Sequence, residues 1–597
     1  MRYSCFRSET FTSDWLAGRR TRLRELLMDY DLKIAGGTII DGTGAPGSMG
    51  DIGIRDGKIA ALGKAPGNAR ETIEARGKIV APGFVDIHTH YDAQVMWDRM
   101  MTISPWHGVT TVVMGNCGFG VAPTRPEHRG LIMRTLEKVE GMSLAALEQG
   151  LGYDWPFETF DQYLDAVEHR GTAINVGALV GHTPVRMYVM GEESTERPAS
   201  ELEIAQMREI VRSAIKAGAI GFATSKSQTH VGYSGKPVPS RAADLAEIKA
   251  LASVLGEMGE GIMQATVGRE LFLREFADIA RATGRPVTWT ALLAGMSGMA
   301  RPDSHQKLLR DSEALFDRGI KVVPQVTCRP LNFEFTFKDP FIFESLTLFS
   351  GISATDHEGK KRIYASAEFR GAFKAKSGSN ASGPFSNRWE RTIISHCPSD
   401  PSLEERNLAE VAGERGCDPI DLALDIALAS NLHARFRMSI FNSDEDQVAE
   451  LLAGRGTVLG LSDAGAHASQ LCDACFSTYL LQRWVREKRA IPMERAIWML
   501  TARPAEVFGI KDRGRLKVGL AADVTIFDPD KVGCSKLRRV HDMPAGQDRL
   551  VADATGIDAV IVNGIQIRRE GSDTVAADGP LPGRLLRHGS ASADARR

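Results

Sequence analysis

Two histidines, His88 and His90, follow a short apolar stretch of the chain, Phe84 to Ile87. Side chains two positions apart on an extended strand point to the same side, so both imidazoles can reach one point. Imidazole is the commonest side-chain metal ligand at neutral pH. A surface turn that happens to contain two histidines is the alternative. The turn dipeptide Pro82-Gly83 before the strand and Asp86 beside the pair favour a metal site.

Three sequence blocks carry a resemblance to a known family. The stretch Pro82-Gly-Phe-Val-Asp-Ile-His-Thr-His90 resembles the first barrel strand of the amidohydrolase superfamily. Gly108-Val-Thr-Thr-Val-Val-Met-Gly-Asn-Cys-Gly118 and Gly460-Leu-Ser-Asp-Ala-Gly-Ala-His467 narrow the resemblance to the N-acyl-D-amino-acid deacylase group. The resemblance runs from about Met28 to about Arg587. It implies a TIM-like barrel that holds one or two divalent metals and hydrolyses amides and related bonds.

Cys117 and Asp463 extend the candidate metal site. A thiolate is a strong ligand for a borderline-soft ion such as zinc, although a buried structural cysteine is also compatible with the sequence. The resemblance implies that Cys117 is a ligand. Asp463 follows an apolar strand, where a carboxylate can reach the metal and take a proton from water; a helix N-cap is the alternative. We predict that His88, His90, Cys117 and Asp463 bind metal, with Asp463 as the catalytic base.

Three further residues are candidates for substrate binding. His182 follows the third predicted strand, where a hydrogen-bonded histidine at the barrel rim is equally compatible with the pattern. Lys226 and His230 follow the fourth strand. In some amidohydrolases a carbamylated lysine from this strand bridges two metals, but an unmodified Lys226 that binds an acidic group of the substrate is the simpler prediction.

The sequence departs from the resembled deacylases at strands five and six. Those enzymes carry metal-binding histidines there, whereas Thr266 and Ala291 stand at these positions when the chain is aligned on Gly261 and Pro286. The lysine that the family associates with the substrate carboxylate is also missing. The four remaining ligands complete one site, so we predict one tightly held divalent ion, with zinc favoured by the thiolate.

Composition narrows the class of protein. Charged residues make up 25% of the 597 residues, hydrophobic residues 43%, and the formal net charge is −2. These values are typical of a globular protein with a small-molecule substrate and give no reason to expect nucleic acid or a membrane surface as partner. No apolar run reaches the roughly 20 residues that span a bilayer. Eight cysteines in so long a chain favour reduced thiols and a cytoplasmic location. A homodimer or higher assembly is expected.

The pattern of apolar residues predicts an α/β fold, namely a TIM-like (β/α)8 barrel with a small β-sandwich domain formed from both chain ends. Short alternating strands with turn residues at both ends predict the β domain. The predicted barrel strands centre on Phe84–Ile87, Thr111–Met114, Ile174–Val180, Ile220–Ala223, Ile262–Ala265, Val287–Leu292, Lys321–Val326 and Val458–Leu461.

The predicted domain boundaries follow from the same pattern. Residues 28–80 together with 508–570 form the β-sandwich, and residues 81–507 form the barrel with an insertion at about 331–430. Residues 1–27 are predicted to be a disordered extension, and residues 571–597 a C-terminal tail. In the insertion, alternation of Phe333, Phe335 and Phe337 is compatible either with a strand that covers the barrel mouth or with the core of a subdomain.

The predicted function is metal-dependent hydrolysis of an amide bond, as in an N-acyl amino acid, with Asp463 as general base. A metal hydrolase of a cyclic amide or an ester is one alternative. A non-catalytic relative that only binds a ligand is another, although the retained His88, His90 and Asp463 argue against it.

Overall fold

The computed structural model describes residues 28–295, 305–343, 346–349, 351–352, 355–378 and 388–591. The predicted extension at residues 1–27 lies outside the described residues. Among the helices that are described, none has both the length and the apolar character needed to cross a membrane.

Eight parallel strands form one sheet, and each strand pairs with the next one along the chain. This order and direction confirm the predicted TIM-like barrel. Each of the eight overlaps a predicted strand, and almost all of their residues are buried, as expected for a parallel sheet covered on both faces. The strands are Phe84–Asp86, Val109–Met114, Asn175–Gly181, Gly221–Ser225, Ile262–Thr266, Val287–Thr290, Val322–Val326 and Val458–Leu459.

Backbone contacts join the residues after the first strand to those after the eighth. The amide of Asp463 donates to the carbonyl oxygen of His88 at 3.1 Å, and the amide of His90 donates to the carbonyl oxygen of Ala464 at 2.7 Å. The hydroxyl of Ser462 also donates to the His88 carbonyl oxygen at 3.0 Å. The His-x-His segment and the segment of Asp463 are therefore held side by side at the C-terminal ends of the strands.

Helices lie between the strands, and local signals set their ends. At the start of the helix Leu245–Met258 the Asp244 side chain accepts from the Glu247 amide, and Gly259 adopts a left-handed conformation at its end. Ser200 and Glu203 form a capping box before the helix Glu201–Ala217. The other main helices of the barrel are Arg129–Glu140, Leu144–Leu151, Phe160–Arg170, His182–Met190, Leu273–Thr283, His305–Asp317, Glu445–Ala453, Met493–Leu500 and Ala502–Val507.

The two chain ends build one nine-stranded sheet, which accounts for the predicted β domain. Alternate residues of its central strands face opposite ways: Val80 and Ile561 lie in the core of the β domain, whereas Ile79 and Val560 pack against the barrel core. Both faces of these strands are therefore buried. The strands are Tyr30–Ile39, Ser48–Arg55, Lys58–Gly63, Ala69–Glu74, Ile79–Pro82, Val524–Phe527, Ile557–Val562, Ile565–Arg569 and Ser572–Asp573.

The insertion has a four-stranded sheet and a core of its own. Its strands are Leu331–Phe335, Thr392–His396, Arg406–Asn407 and Arg435–Phe441, and its helices are His357–Ala365, Ala367–Gly378, Leu408–Arg415 and Pro419–Ala429. Because Arg435–Phe441 pairs with Leu331–Phe335, this sheet extends past residue 430, where the sequence placed the end of the insertion. Phe335 and Phe337 pack in the subdomain core, whereas Phe333 also packs beside Leu461 at the barrel mouth.

The C-terminal part of the chain returns to the barrel twice. The hairpin Arg538–Met543 and Gln547–Val551 contacts the loop after the eighth strand, where the Leu550 amide donates to the Ala468 carbonyl oxygen at 2.7 Å. Farther on, within the predicted tail, Leu585 and Leu586 are buried and Arg587 forms ion pairs with Asp165 and Glu168. Residues 571–591 therefore pack on the fold.

Candidate metal centre

Three predicted ligands meet at the C-terminal ends of the first two strands. One ligand atom from each of His88, His90 and Cys117 lies within 4.8 Å of the others, and all three residues are buried. Sγ of Cys117 lies 3.4 Å from Nε2 of His88. Spacing this close among two imidazoles and a thiol is compatible with a shared ion.

Asp463 completes the set from the other end of the sheet. Its Oδ1 lies 3.3 Å from Nε2 of His88 and 3.7 Å from Nε2 of His90. The carboxylate is 21% exposed, compared with 1% for the His88 side chain, so Asp463 is the more open side of the cluster. Burial acts to raise the pKa of Asp463, but the contact with His90 and the charges of both imidazoles hold it below its usual range.

Nδ1 of each imidazole faces a polar partner, so Nε2 of each is left to bind a metal ion. Nδ1 of His88 donates to Oε1 of Gln325 at 2.8 Å, and the Gln325 amide is oriented by its contact with Thr288 at 3.3 Å. Nδ1 of His90 lies 3.1 Å from Oε1 of the buried Glu140. An imidazole that donates from Nδ1 presents the lone pair of Nε2, which is the form a metal requires. The residues therefore fit a divalent ion.

The turn that carries Cys117 is set by close backbone packing. Gly115 has a φ of 85°, and a Cβ at this position would lie 2.2 Å from the Leu179 carbonyl oxygen, so glycine is required. The Cys117 amide donates to Oε1 of Gln264 at 2.7 Å. Burial acts to raise the pKa of the Cys117 thiol, but the charge of His88 and the hydrogen bonds from both imidazoles lower it to about 7. A thiol of this pKa readily supplies a thiolate ligand.

The ends of strands five and six offer no imidazole. The hydroxyls of Thr266 and Thr290 are 3.1 Å apart and bond to each other. Ala291 packs against an apolar cluster, which contains Leu293, Ile440, Phe441 and Leu461 together with Leu331 and Phe333. The end of strand six is therefore apolar, and the end of strand five offers a hydroxyl but no imidazole.

The structure does not bring His182 to this centre. It is fully buried, and its ring nitrogens lie 2.8 Å from Oγ1 of Thr224 and 2.8 Å from Oε1 of Glu247. Glu247 in turn pairs with the buried Arg186. Because both ring nitrogens are occupied, His182 has none free for a substrate, and its predicted role is not retained.

Lys226 is also occupied elsewhere. Its Nζ donates to the carbonyl oxygens of Arg241 at 2.8 Å and Ala243 at 2.6 Å. Two carbonyl acceptors stabilise an ammonium group, whereas a carbamate would present its own oxygens to them. The geometry therefore disagrees both with the predicted binding of an acidic substrate group and with a carbamylated lysine.

His230 remains beside the centre. Its ring packs at 5.0 Å from the ring of Phe119, which lies 6.4 Å from the ring of His90. Nδ1 of His230 is 2.7 Å from the hydroxyl of Ser225. Burial lowers the pKa of His230 to about 4, so the imidazole is neutral near pH 7. On the other side, the ring of His467 meets the edge of Phe333 at 5.7 Å.

Sequence reasoning missed the residues that support the ligands. Gln264 and Gln325 are polar residues in otherwise apolar strands, which is a signal that each has a specific buried partner. Glu140 ends a helix whose sequence gives no such signal. Its carboxylate is buried beside His90, a residue about 50 positions earlier in the chain.

Comparison with known proteins agrees with this geometry. The model of the amidohydrolase family matches residues 71–567. D-aminoacylase from Alcaligenes xylosoxydans xylosoxydans is 29% identical over 93% of this chain and 97% of its own length. A solved D-aminoacylase, described with a binuclear metal centre, is 27% identical, covers 93% of this chain and 100% of its own, and superposes with a TM-score of 0.63.

A second solved structure carries a metal and an inhibitor. N-acyl-D-glutamate deacylase from Bordetella bronchiseptica, in complex with zinc and a phosphonate mimic of the tetrahedral intermediate, is 28% identical and has a TM-score of 0.62. The alignment covers 94% of this chain and 99% of that one. These relatives support a divalent metal in the present centre. The chain belongs to the amidohydrolase family and is a metal-dependent hydrolase of carbon–nitrogen bonds.

Proposed function

We propose that this enzyme removes the acyl group from an N-acylated amino acid or a closely related N-acyl amine. The observation that carries the proposal is the convergence of His88, His90 and Cys117 within 4.8 Å, with the Asp463 carboxylate beside them. The relatives named above are deacylases of N-acylated D-amino acids, which supports this substrate class.

We further propose one zinc ion per chain, held by His88, His90, Cys117 and Asp463. Two imidazoles and a thiolate give the three protein ligands usual for a catalytic zinc site, the Asp463 carboxylate lies close enough to be a fourth, and a five-coordinate zinc ion would still accept water. Thr266 and Ala291 supply no strong ligand for a second ion, and Lys226 is bound to two carbonyl oxygens. The D-aminoacylase structure described with one-metal activation and second-metal attenuation supports a single functional ion.

The side chains of the centre would divide the work of hydrolysis. A bound zinc ion would lower the pKa of water and polarise the scissile carbonyl group. Asp463 accepts a proton from the attacking water and returns it to the leaving amine. Glu140 and Gln325 hold the two imidazoles in the required tautomer. His230, neutral and packed against the Phe119 ring, is proposed to contact the substrate.

A neutral cyclic amide or an ester is a second candidate substrate class. The specific observation is the apolar cluster at the ends of strands six to eight, where Leu293 and Leu461 pack together. A surface of this kind favours an uncharged group beside the scissile bond. The leaving group then lacks the free carboxylate of an amino acid.

Two measurements test these proposals. Elemental analysis of protein purified without chelators is expected to give a stoichiometry near one zinc. Hydrolysis is then compared among an N-acetyl-D-amino acid, its L-enantiomer, a hydantoin and an ester of matched side chain. Faster turnover of an N-acetyl amino acid supports the first class. Turnover of the hydantoin or the ester alone would favour the second.

We also propose a reducing, cytoplasmic setting for the enzyme. The seven described cysteines are all free thiols, which supports this setting. A homo-oligomer is proposed as well, and light scattering coupled to gel filtration tests it directly.

A further inference from the structure

The loop after the eighth strand contains a Cys-x-x-Cys sequence, Cys472 to Cys475, that the hydrolytic site does not use. Both cysteines are buried. A helix begins at Phe476, directly after Cys475. Sγ of Cys475 donates to the backbone carbonyl oxygen of Cys472 at 3.6 Å, and the two thiol groups also interact with each other. The two sulfur atoms are therefore neighbours in the folded protein.

The surroundings give the two thiols different reactivity. The hydrogen bond from Cys475 is the main cause that lowers the pKa of Cys472, and burial opposes it. The charge of Arg329, which pairs with Asp473 at 2.7 Å, and a hydrogen bond from the Ala552 amide lower it further. The same hydrogen bond raises the pKa of Cys475 to about 12. Cys472 is therefore the better nucleophile, and Cys475 keeps its proton.

A cavity gives small molecules a path to Cys472. Cys472 and Asp463 both line it, together with Tyr91, Arg549 and Leu550. A peroxide is small enough to enter such a space, whereas a peptide disulfide is far larger. The cavity thus joins the more nucleophilic thiol of the pair to the proposed catalytic base.

We propose that Cys472 and Cys475 are a peroxide-sensitive pair that closes to a disulfide. The Cys472 thiolate attacks one oxygen of hydrogen peroxide, the O–O bond breaks, and a sulfenic acid and hydroxide form. The Cys475 sulfur then attacks the sulfenic sulfur, the S–O bond breaks, and water leaves with the proton of Cys475. Two electrons pass from the two thiols to the peroxide. A dithiol reductant reverses the change by thiol–disulfide exchange.

Closure of this pair acts on the loop that carries Asp463. Only eight residues separate Asp463 from Cys472, and the two share the cavity wall. A bond between the sulfurs shortens their contact and restrains the loop, so turnover is expected to fall until the bond is reduced. The disulfide itself does not depend on the proposed substrate or on the proposed zinc ion.

A third thiol, that of Cys534, is a competing partner for Cys475. Cys534 forms a side-chain hydrogen bond with Cys475, and its Sγ lies 3.9 Å from Nη1 of Arg329. That hydrogen bond, followed by burial, raises the pKa of Cys534, so it is a weaker nucleophile than Cys472. A disulfide between Cys475 and Cys534 is the competing product.

The test treats the metal-loaded enzyme with hydrogen peroxide and maps its peptides by mass spectrometry without reduction. The expected product is a peptide with Cys472 and Cys475 that is about 2 Da lighter and regains the mass after reduction. Cys472→Ser and Cys475→Ser are expected to lack this product, whereas Cys417→Ser, which removes an exposed thiol elsewhere, keeps it. Cys472→Ala provides a second variant if the serine disturbs folding.

Three results would overturn the proposal. These are a peptide linked through Cys475 and Cys534, oxidation of Cys472 only to sulfinic or sulfonic acid, and no oxidation of the loop under conditions that oxidise Cys417. Turnover is followed in parallel, with each variant compared before and after peroxide. If Cys472→Ser still loses turnover reversibly after peroxide, other groups cause that loss. The proposed link between the cysteine pair and the Asp463 loop is then contradicted.

Discussion

The carboxylate of Glu140 lies 3.1 Å from Nδ1 of His90, although the two residues belong to different elements and both are buried. Burial acts to raise the pKa of Glu140, but the charge of the neighbouring His90 holds it below its usual range. An ionised carboxylate in this place orients the imidazole and makes Nε2 a stronger ligand.

Replacement of Glu140 tests this supporting role. Glu140→Gln keeps the size of the side chain but removes its charge, so we expect zinc affinity to fall about 10- to 100-fold. Glu127→Gln, an exposed residue before the same helix, is the matched control. Competition with a chromogenic chelator measures the affinity. An unchanged zinc affinity in Glu140→Gln would show that the contact is only structural.

Removal of either imidazole is expected to abolish both metal binding and turnover. His88→Ala and His90→Ala each delete a ligand from a set of four, which a tight zinc site does not tolerate. Metal content and hydrolysis are measured on the same preparations, and a thermal melt checks the fold. Full metal content together with full turnover in either variant would disprove the proposed centre.

The base role of Asp463 predicts a loss of rate. Asp463→Asn cannot accept a proton, so the turnover number is expected to drop by roughly two to four orders of magnitude. Zinc content is measured alongside, because Asp463 is also a proposed ligand. If the variant retains its zinc and its turnover number stays within a few-fold of the wild-type value, Asp463 has a structural role and is not the catalytic base.

Lys226→Met distinguishes a structural lysine from a bridging one. The ammonium group donates to the Arg241 and Ala243 carbonyl oxygens, so its loss is expected to cost about 1–3 kcal/mol of unfolding free energy. Zinc stoichiometry should not change. A stoichiometry near two in the wild type that falls to one in this variant would restore the carbamate-bridged pair.

The buried His107 predicts a fall in stability in mild acid. Its Nε2 donates to the Ala552 carbonyl oxygen at 3.0 Å, Nδ1 lies 2.7 Å from Oγ1 of Thr478, and burial lowers its pKa to about 4. In the unfolded chain the pKa is about 6.5. Below pH 6.5 the unfolded chain binds a proton that the folded protein does not, so stability is lost between about pH 6.5 and 4.

His107→Gln is expected to flatten this part of the stability profile. Its amide can still donate to the Ala552 carbonyl oxygen but does not titrate. Melting temperatures of the variant, the wild type and His169→Gln, which changes an exposed histidine, are compared from pH 7 to pH 4. An identical acid slope in His107→Gln and the wild type would assign the loss of stability to other groups.

Local patterns in the sequence determined much of this protein. Runs of apolar residues separated by helical segments predicted all eight barrel strands, because a strand buried on both faces must be apolar along its length. The spacing of His88 and His90 predicted two imidazoles on one side, since alternation along a strand is a property of the local backbone. Short stretches of alternating apolar and polar residues at both chain ends predicted the β domain, because this alternation is also a local property of a strand.

Tertiary structure alone decided which polar groups meet. Asp463 reaches His88 because backbone hydrogen bonds join the segments after the first and eighth strands. Lys226 and His182 follow strands as predicted, yet Lys226 donates to nearby carbonyl oxygens and His182 is held between Thr224 and Glu247. Glu140 supports His90 without any signal in its own segment. A buried polar group must find a partner, and chain folding, not sequence spacing, selects it.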